Sequence, residues 1–369
     1  MKQWEQNVRC VKPYVPGEQP QGISMLKLNT NENPYPPSPQ VTQALKQFGT
    51  ERLRLYPDPD SRVLLKALAD FYGLQQNQIF VGVGSDDVLA MAFMTYFQSG
   101  KPILFPDITY SFYDVWAKLY NIPFRQIPLD EQFHIRKRDY LIENGGIIFP
   151  NPNAPTGVLM ALEEIEDLIS RHQDVVVIVD EAYIDFGGIS ALPLLKKYDN
   201  LLIVQTFSKS RSLAGLRIGY AMGNPLLISY LNRVRNAFNS YTMNQLTQIL
   251  GAAAVNDAAY FNKTNAKIIE TREKVKSAFH RLGFRFQDSS SNFLFVTHPE
   301  FSAAVLYEKL RRVGIYVRHF TKPERIANYL RISIGSDQEM DMLIRQLKGI
   351  LPGGRNEESR RREMKQRPY

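Results

Sequence analysis

Several polar and ionisable side chains of this sequence stand where short apolar runs end. They are Ser85, Tyr110, Asn153, Asp180 and Lys209. The chemistry open to them centres on Lys209, because lysine is rarely buried without a partner. Burial favours the neutral amine, which is the form that makes a Schiff base with a carbonyl compound. Taken alone, Lys209 is better explained as a surface lysine whose stem covers apolar residues.

The other strand ends are also ambiguous when each is read alone. The turn Gly82-Val83-Gly84-Ser85 could hold a phosphate at the beginning of a helix, where free N–H groups favour anions. A serine N-cap followed by acidic residues explains it equally well. Asp180 alone is most simply a turn residue. Together they are more specific, since open α/β sheets bind ligands at the carboxyl ends of their strands. We therefore predict one shared site.

The apolar runs predict the elements that position this site. They are β-branched and continuous, which is typical of strands buried on both faces. They cover residues 79–83, 103–105, 147–149, 175–179 and 201–205. Helical patterns lie between them, at residues 86–97, 111–119 and 161–170. Strands and helices in alternation predict an α/β fold with a mostly parallel central sheet flanked by helices.

The rest of the chain predicts a second unit. After Asn224 the pattern is helical, and short strands near residues 292–297, 315–318 and 330–334 indicate a smaller α+β domain. We predict four parts along the chain. They are an extended N-terminal segment over 1–45 that packs with the small domain, a large domain over 46–255, a small C-terminal domain over 256–350 and a flexible basic tail over 351–369.

Composition limits the classes of function. Hydrophobic residues make up 44% and charged residues 22% of the 369, as in ordinary globular proteins. The start has no signal-peptide pattern and the longest apolar stretch is too short to span a bilayer, so we expect a cytoplasmic protein without a membrane partner. One cysteine and five histidines without metal-type spacing argue against a metal site. The net charge of +8 is compatible with anionic substrates, and the basic tail lacks the motifs of a nucleic-acid binder.

One long motif makes the chemistry specific. TFSKSRSLAGLRIGY contains Lys209 and, eight residues later, Arg217, while DEAY at the end of a neighbouring strand contains Asp180 and Tyr183. With this motif the chain, over about residues 12–350, resembles the fold-type I pyridoxal-phosphate enzymes of the aspartate aminotransferase superfamily. The resemblance implies that pyridoxal 5′-phosphate is the cofactor.

The resemblance also implies a role for each residue around the cofactor ring. Lys209 would hold the cofactor as a Schiff base and move protons during the reaction. Asp180 would pair with the pyridine nitrogen and keep it protonated. Tyr183 would hydrogen-bond the 3′-oxygen, and Tyr110 would stack on the ring face.

A second group of residues is implied for the cofactor phosphate. It comprises Gly84, Ser85, Asp86 through its backbone, Thr206, Ser208 and Arg217. Tyr56 would reach the phosphate in the neighbouring subunit, which implies a homodimer with shared active sites. The chain departs from the superfamily at Ala154, where asparagine usually contacts the 3′-oxygen. Asn153, one residue earlier, is the candidate replacement, and Asn151 is a weaker one.

Several further segments narrow the resemblance. KPYVPGE, LNTNENPYPPSP, VDEAYIDF and LRISIGS are similar to segments of the histidinol-phosphate aminotransferases. This implies a ping-pong transamination in histidine biosynthesis, from L-histidinol phosphate and 2-oxoglutarate to imidazole-acetol phosphate and L-glutamate. Histidinol phosphate has a phosphate ester where glutamate has its α-carboxylate, so one positively charged site must accept either anion. The substrate residues implied are Arg331, Arg318, Tyr14 and Asn29.

Three alternatives stay open at this point. An aromatic amino-acid aminotransferase would use the same scaffold with another amino donor. A threonine-phosphate decarboxylase would also bind a phosphate but would break the bond between Cα and the carboxylate. A regulator that binds the cofactor without catalysis is disfavoured, because such proteins usually add a DNA-binding domain and none fits before residue 41.

Overall fold

The computed structural model describes residues 2–14, 17–20 and 25–351. The strands in this part of the chain, β1 to β13 in order, cover Leu26–Lys27, Ile79–Gly82, Ile103–Pro106, Phe124–Ile127, Ile147–Pro150, Val177–Asp180, Leu201–Thr206, Gly219–Gly223, Arg285–Phe286, Phe293–Thr297, Ile315–Tyr316, Arg318–His319 and Leu330–Ser333. The α-helices, α1 to α10, cover Pro39–Gln47, Arg62–Tyr72, Ser85–Tyr96, Phe112–Leu119, Leu162–Ser170, Pro225–Phe238, Gln245–Asn256, Ala258–Arg281, Ala303–Arg312 and Asp337–Ile350.

A seven-stranded sheet in the order β2-β8-β7-β6-β5-β3-β4 forms the centre of the larger unit. Its neighbours pair in parallel except β8, which runs antiparallel to both β2 and β7. Successive residues of β6 enter two different cores. Val177 and Val179 pack with α2, α5 and α7, and Ile178 packs with α3, α4 and α6. The sheet is therefore covered by helices on both faces, which confirms the predicted α/β fold.

The sequence pattern predicts β2, β3, β5, β6 and β7 within two residues but misses β4 and β8. Strand β4 lies at the sheet edge and presents the exposed, polar Arg125 and Gln126, so it lacks a continuous apolar run. Strand β8 begins and ends at glycine, and Gly219 lies so close to the turn between β2 and α3 that a Cβ there would clash with the backbone of Gly84 and Ser85. Glycine is needed at this crossing, and it weakens the strand signal.

A smaller antiparallel sheet, in the order β12-β13-β10-β9, packs with α8, α9 and α10 around a core of its own. Strand β1 pairs in parallel with β11, and the Ser333 N–H donates to the Leu28 carbonyl at 2.9 Å, so the N-terminal segment lies against this unit. The single strand predicted at 315–318 is two short strands, because the chain changes its partner from β1 to β13 at Val317. The domain limits themselves stay a prediction.

The apolar pattern at Leu343–Leu351 predicts a closing helix, and α10 begins six residues earlier, at Asp337. Ser336 accepts from the Glu339 N–H, and the Glu339 carboxylate accepts from the Ser336 N–H, so a capping box begins the helix earlier than its apolar residues indicate. Among the described helices, none has both the length and the apolar character needed to cross a bilayer. Beyond Leu351, the basic tail predicted at 351–369 lies outside the described residues.

Candidate active site

A cavity of about 570 Å³ opens where the parallel strands of the large sheet end, facing the small sheet. Most of the predicted site residues line it. They are Tyr14, Asn29, Ser85, Asp86, Tyr110, Asp180, Tyr183, Thr206, Ser208, Lys209, Arg217, Arg318 and Arg331. The shared site predicted from the strand ends is therefore present as a single concave space, with both units contributing to its wall.

Lys209 stands three residues beyond β7 with its amine in the cavity. Its Nζ donates to the Thr30 carbonyl at 3.0 Å and lies 5.8 Å from the centre of the Tyr183 ring. Burial, with a further contribution from the positive charge of Arg331, lowers the pKa of Lys209 to about 8. A lysine in this state supplies a neutral amine near neutral pH, as nucleophilic and general-base chemistry require.

The lowered pKa predicts a distinct reactivity for Lys209 in the cofactor-free protein. At pH 8 about half of its side chains are neutral, against roughly 0.3% for a lysine at the ordinary value of 10.5. We expect reductive methylation of Lys209 by a limiting amount of formaldehyde to reach half its maximal rate near pH 8. Mass spectrometry of the labelled peptides measures this, with the exposed Lys46 as internal reference. A pH profile of Lys209 that coincides with that of Lys46 would contradict the assignment.

Asp180 is the last residue of β6 and only 5% exposed. Its carboxylate accepts from the Tyr113 hydroxyl at 2.9 Å and from the Ala182 N–H at 3.2 Å. Burial raises the pKa of Asp180 to about 6 in spite of these donors. A buried carboxylate with a raised pKa is stabilised when a cation, such as a protonated ring nitrogen, is placed against it.

Arg217, Ser208 and the beginning of α3 form a pocket for an anion at one end of the cavity. The Arg217 Nη1 donates to the Ser208 hydroxyl at 3.3 Å, and Nη2 pairs with the Asp86 carboxylate at 3.2 Å. Gly84 has a φ of +88°, and a Cβ there would lie 2.5 Å from Arg217 Nη2. Gly84 is not one of the residues that line the cavity. Because it has no side chain, it leaves room for the Arg217 guanidinium to reach the cavity. Free helix N–H groups, hydroxyls and a guanidinium together suit a phosphate.

An aromatic wall closes one side of the cavity. The Tyr14 ring stacks on Phe112 with centres 4.3 Å apart, and the Tyr110 ring lies 5.5 Å from Phe112. The Tyr110 hydroxyl donates to the Asp86 carboxylate at 2.7 Å, which fixes the ring at the cavity edge. Flat apolar faces of this kind suit a planar ring ligand.

The structure corrects the prediction for Asn153. Its side-chain amide donates to the Ile108 carbonyl and to the Thr156 hydroxyl, both at 3.0 Å, and it lines a separate, smaller cavity. Asn151 also turns away, since its side chain bonds the backbone of Met160. The methyl group of Ala154 lines the main cavity instead. Neither asparagine takes the place of the missing amide.

Tyr56 also lies outside the cavity. It is 81% exposed, and its ring contacts Tyr241 with centres 4.7 Å apart. Within one chain it does not reach the anion pocket, so the predicted role of Tyr56 depends on a second subunit.

Arg318 and Arg331 form a positively charged site on the side of the cavity that the small sheet contributes. They are directly opposite each other on the antiparallel strands β12 and β13. Like charges opposite each other are unfavourable on a sheet unless an anion joins them. The Arg331 Nη2 donates to the Asn29 carbonyl at 3.0 Å, while the Nε is buried and has no hydrogen-bond partner among the described residues. Burial lowers the pKa of Arg331, which is a further sign of an uncompensated cation.

Sequence reasoning assigned Asn29 of the N-terminal loop to the site but missed Asn31 and Asn33, which contact its central residues. Asn31 donates to the Tyr183 hydroxyl at 2.9 Å, and Asn33 donates to the backbone carbonyl of Lys209 at 2.9 Å. Tyr113, the donor to Asp180, was missed as well. The asparagine-rich segment NTNENP was the available signal, but nothing in the sequence connects it to residues 150 positions away.

The donor set fits the cofactor that the resemblance implies. Lys209 offers an amine for the aldehyde, Asp180 a buried carboxylate for the pyridine nitrogen and Tyr183 a hydroxyl for the 3′-oxygen. The cation and helix N-terminus at Arg217 suit the phosphate. The buried Nε of Arg331, which has no hydrogen-bond partner among the described residues, is available to a second anion in the same cavity.

Comparison with known proteins agrees with this geometry. The model of the family Aminotransferase class I and II matches residues 23–347. The chain is 51% identical to the histidinol-phosphate aminotransferase of Lactococcus lactis subsp. cremoris strain MG1363, over 94% of this chain and 98% of the relative. It is 53% identical to histidinol-phosphate aminotransferase 1 of Pseudomonas fluorescens strain Pf0-1, over 93% of this chain and 98% of the relative.

A solved structure supports the fold. The histidinol-phosphate aminotransferase of Sinorhizobium meliloti in complex with pyridoxal-5′-phosphate superposes with a TM-score of 0.81 at 23% identity, covering 89% of this chain and 91% of that one. The cavity, its donor set and these matches lead to one conclusion: the chain belongs to the class I and II aminotransferase family.

Proposed function

We propose that this chain transfers the amino group of L-histidinol phosphate to 2-oxoglutarate in histidine biosynthesis, with pyridoxal 5′-phosphate as its cofactor. The observation that carries the proposal is the Arg318–Arg331 pair in the same cavity as Lys209. Relatives about half identical over nearly the whole chain are histidinol-phosphate aminotransferases, which supports it. The substrates are small molecules, and we propose no nucleic-acid partner and a cytoplasmic location.

The roles of the residues follow from their contacts. The bound cofactor supplies an aldehyde and an electron-withdrawing ring. Lys209 Nζ, with its lowered pKa, would take a proton from the substrate Cα and deliver it to the aldehyde carbon of the cofactor. Asp180 holds the ring nitrogen in its protonated state, and Arg217 with Ser208 anchors the phosphate.

Two arginines suit a pair of substrates that differ in charge. Histidinol phosphate presents a dianionic phosphate where glutamate presents a single carboxylate. Arg331, with a buried Nε free to donate, binds either anion, and Arg318 on the neighbouring strand adds the charge that a phosphate needs. Both half-reactions of the ping-pong mechanism can therefore use the same anion-binding site.

The different roles proposed for Arg331 and Arg318 predict unequal effects when each arginine is replaced. Arg331→Gln should lower kcat/KM about 100-fold for both histidinol phosphate and glutamate, because both lose a charge-assisted bond of roughly 3 kcal/mol. Arg318→Gln should lower it about 10-fold or more for histidinol phosphate and much less for glutamate. Single-turnover measurement of each half-reaction separates the two. Equal losses for both substrates in Arg318→Gln would contradict the role given to Arg318.

The proposed reaction is tested against its alternatives by donor competition. We expect glutamate to form from 2-oxoglutarate with histidinol phosphate at a far higher kcat/KM than with phenylalanine or tyrosine. A preference for the aromatic donors would make the chain an aromatic amino-acid aminotransferase. Release of CO₂ from threonine phosphate without glutamate formation would favour the decarboxylase.

We also propose a homodimer with shared sites. Tyr56 and Tyr241 form an exposed aromatic pair, and the nearby Leu53, Leu55 and Phe238 are each more than half exposed. Scattered apolar residues are ordinary on a surface, but large ones concentrated in two short segments are typical of a protein interface. A second copy that covers these residues would bring Tyr56 toward the anion pocket of its partner.

Subunit mixing tests this arrangement. Lys209→Ala should be inactive, and Tyr56→Ala should lose about tenfold in activity through weaker phosphate binding. A heterodimer of the two variants, purified through two different affinity tags, contains one site with both native residues. We expect about half of the native activity per dimer, because one of two equivalent sites is restored. Activity of only about 5% of native, the mean of an inactive parent and a parent with a tenfold loss, would show that Tyr56 serves its own chain. Full activity of Tyr56→Ala by itself would show that Tyr56 serves no site.

A further inference from the structure

A chain of hydrogen bonds connects the small sheet to Tyr183. The Asn31 backbone N–H donates to the Ser333 hydroxyl at 2.9 Å, and that hydroxyl donates to the Asn31 side-chain oxygen at 3.1 Å. The Asn31 side-chain nitrogen then donates to the Tyr183 hydroxyl oxygen at 2.9 Å. All three residues are buried, so these bonds are shielded from water.

The bonds of this chain run in one direction, from Ser333 to Tyr183. The Ser333 hydroxyl accepts from the Asn31 backbone N–H and gives its own proton to the Asn31 side-chain oxygen. With that oxygen toward Ser333, the side-chain nitrogen of Asn31 is the atom that faces Tyr183. Tyr183 accepts this bond, and its own proton has to point elsewhere.

The hydroxyl proton of Tyr183 can serve the proposed reaction only by pointing into the main cavity. Its ring stands edge-on to Phe293, with centres 5.1 Å apart, and Tyr183 lines the main cavity. Burial raises the pKa of Tyr183, so the hydroxyl keeps its proton. Ala154 also lines the cavity, but its methyl side chain cannot donate a hydrogen bond into it.

We infer that Asn31, held by Ser333, is a positioning residue that turns the Tyr183 proton into the cavity, toward the ring oxygen of the bound cofactor. This inference rests on the proposed function, since it needs pyridoxal phosphate against Lys209 and Asp180. Asn31 makes up for the amide missing at Ala154 indirectly, through the tyrosine rather than by its own contact with the cofactor.

The backbone of Asn31 supports a dedicated role. Its φ of +56° lies in the left-handed region, which asparagine tolerates better than most residues. Its carbonyl accepts from the Asn292 side chain at 3.0 Å, so the loop is fixed on both sides. Its neighbour Thr30 accepts from Lys209, and Asn29 accepts from Arg331. Three consecutive residues thus contact the amine, the substrate arginine and the tyrosine.

Two substitutions separate positioning from packing. Asn31→Asp keeps the shape and the backbone preference, but its carboxylate only accepts, so it draws the Tyr183 proton to itself. Asn31→Gly keeps the left-handed backbone and removes the donor. Tyr183→Phe removes the hydroxyl. Asn224→Ala is the matched control, because Asn224 bonds Asp199 and caps α6 at the opposite edge of the sheet.

The readout is the pH at which the visible spectrum of the bound cofactor changes, measured without substrate. A hydroxyl donated to the ring oxygen stabilises negative charge there and lowers the proton affinity of the cofactor. Loss of the donor should move the midpoint to higher pH by about one unit, the size of one hydrogen bond. We expect Asn31→Asp to match Tyr183→Phe, Asn31→Gly to shift less and Asn224→Ala to leave the midpoint unchanged.

The double variant Asn31→Asp with Tyr183→Phe decides between mechanisms. If Asn31 acts through Tyr183, the double variant shows the same midpoint as Tyr183→Phe alone. Additive shifts would mean that the new charge acts directly on the cofactor, and an unmoved midpoint in Asn31→Asp would mean that Asn31 is structural; either overturns the inference. Absence of a pH-dependent visible band in the native protein would instead refute the proposed cofactor site.

Discussion

Replacement of Lys209 by alanine is expected to lower turnover by on the order of 10⁴-fold or more. The substitution removes both the amine that attaches the cofactor and the base that moves the Cα proton, and these two functions act in the same catalytic cycle. Steady-state assays of glutamate formation measure the loss. The borohydride-trappable adduct, seen by mass spectrometry on the peptide that contains Lys209, should disappear as well.

Lys209→Arg is the matched control for this experiment. It keeps a long cationic side chain near Thr30 but cannot supply a neutral amine, because the guanidinium does not lose its proton in proteins. We expect it to fold, to bind the cofactor without a covalent link and to be as inactive as Lys209→Ala. Substantial turnover in either variant, or an adduct that forms without Lys209, would refute the assignment of the catalytic lysine.

Asp180→Asn should produce the second-largest effect, a loss in kcat/KM of about 10³-fold. The substitution is nearly isosteric but removes the charge that keeps the ring nitrogen protonated, and a desolvated charge pair is worth several kcal/mol. The loss should appear mainly in kcat, since substrate contacts at Arg331 are unchanged. Tyr113→Phe removes only one hydrogen bond to Asp180 and should cost about tenfold at most. Equal effects of the two variants would argue against a role for the charge.

The same substitution should have the opposite effect on stability without cofactor. The pKa of Asp180 is raised from 3.8 to about 6 by burial, so between these values the folded state binds more protons than the unfolded state. Stability of the native protein therefore falls as pH rises from about 4 to 6, by roughly 3 kcal/mol at most. Asp180→Asn removes this dependence. Above pH 6 the cofactor-free variant should unfold at a higher urea concentration than the native protein.

Local sequence patterns are sufficient to identify the residues that follow consecutive strands. The runs before Asp180 and Lys209 are apolar and β-branched, so they predict inner strands, and the parallel order brings their ends together. Lys209 and Arg217 lie in one short segment, and their spacing is recognisable as a motif. For such residues the geometry follows from short-range chain connection, which is why sequence reasoning was sufficient.

Contacts between side chains of distant segments depend on how the segments pack in three dimensions. Asn153 is close to Ala154 in sequence, but its side chain turns into another cavity, and Asn31, 152 residues from Tyr183, makes the relevant bond. Arg318 stands opposite Arg331 because β12 and β13 pair in one register. Periodicity indicates which face of an element is buried, but a side chain's direction in a loop and the register of non-local strands depend on packing between units. No local pattern in the sequence encodes that information.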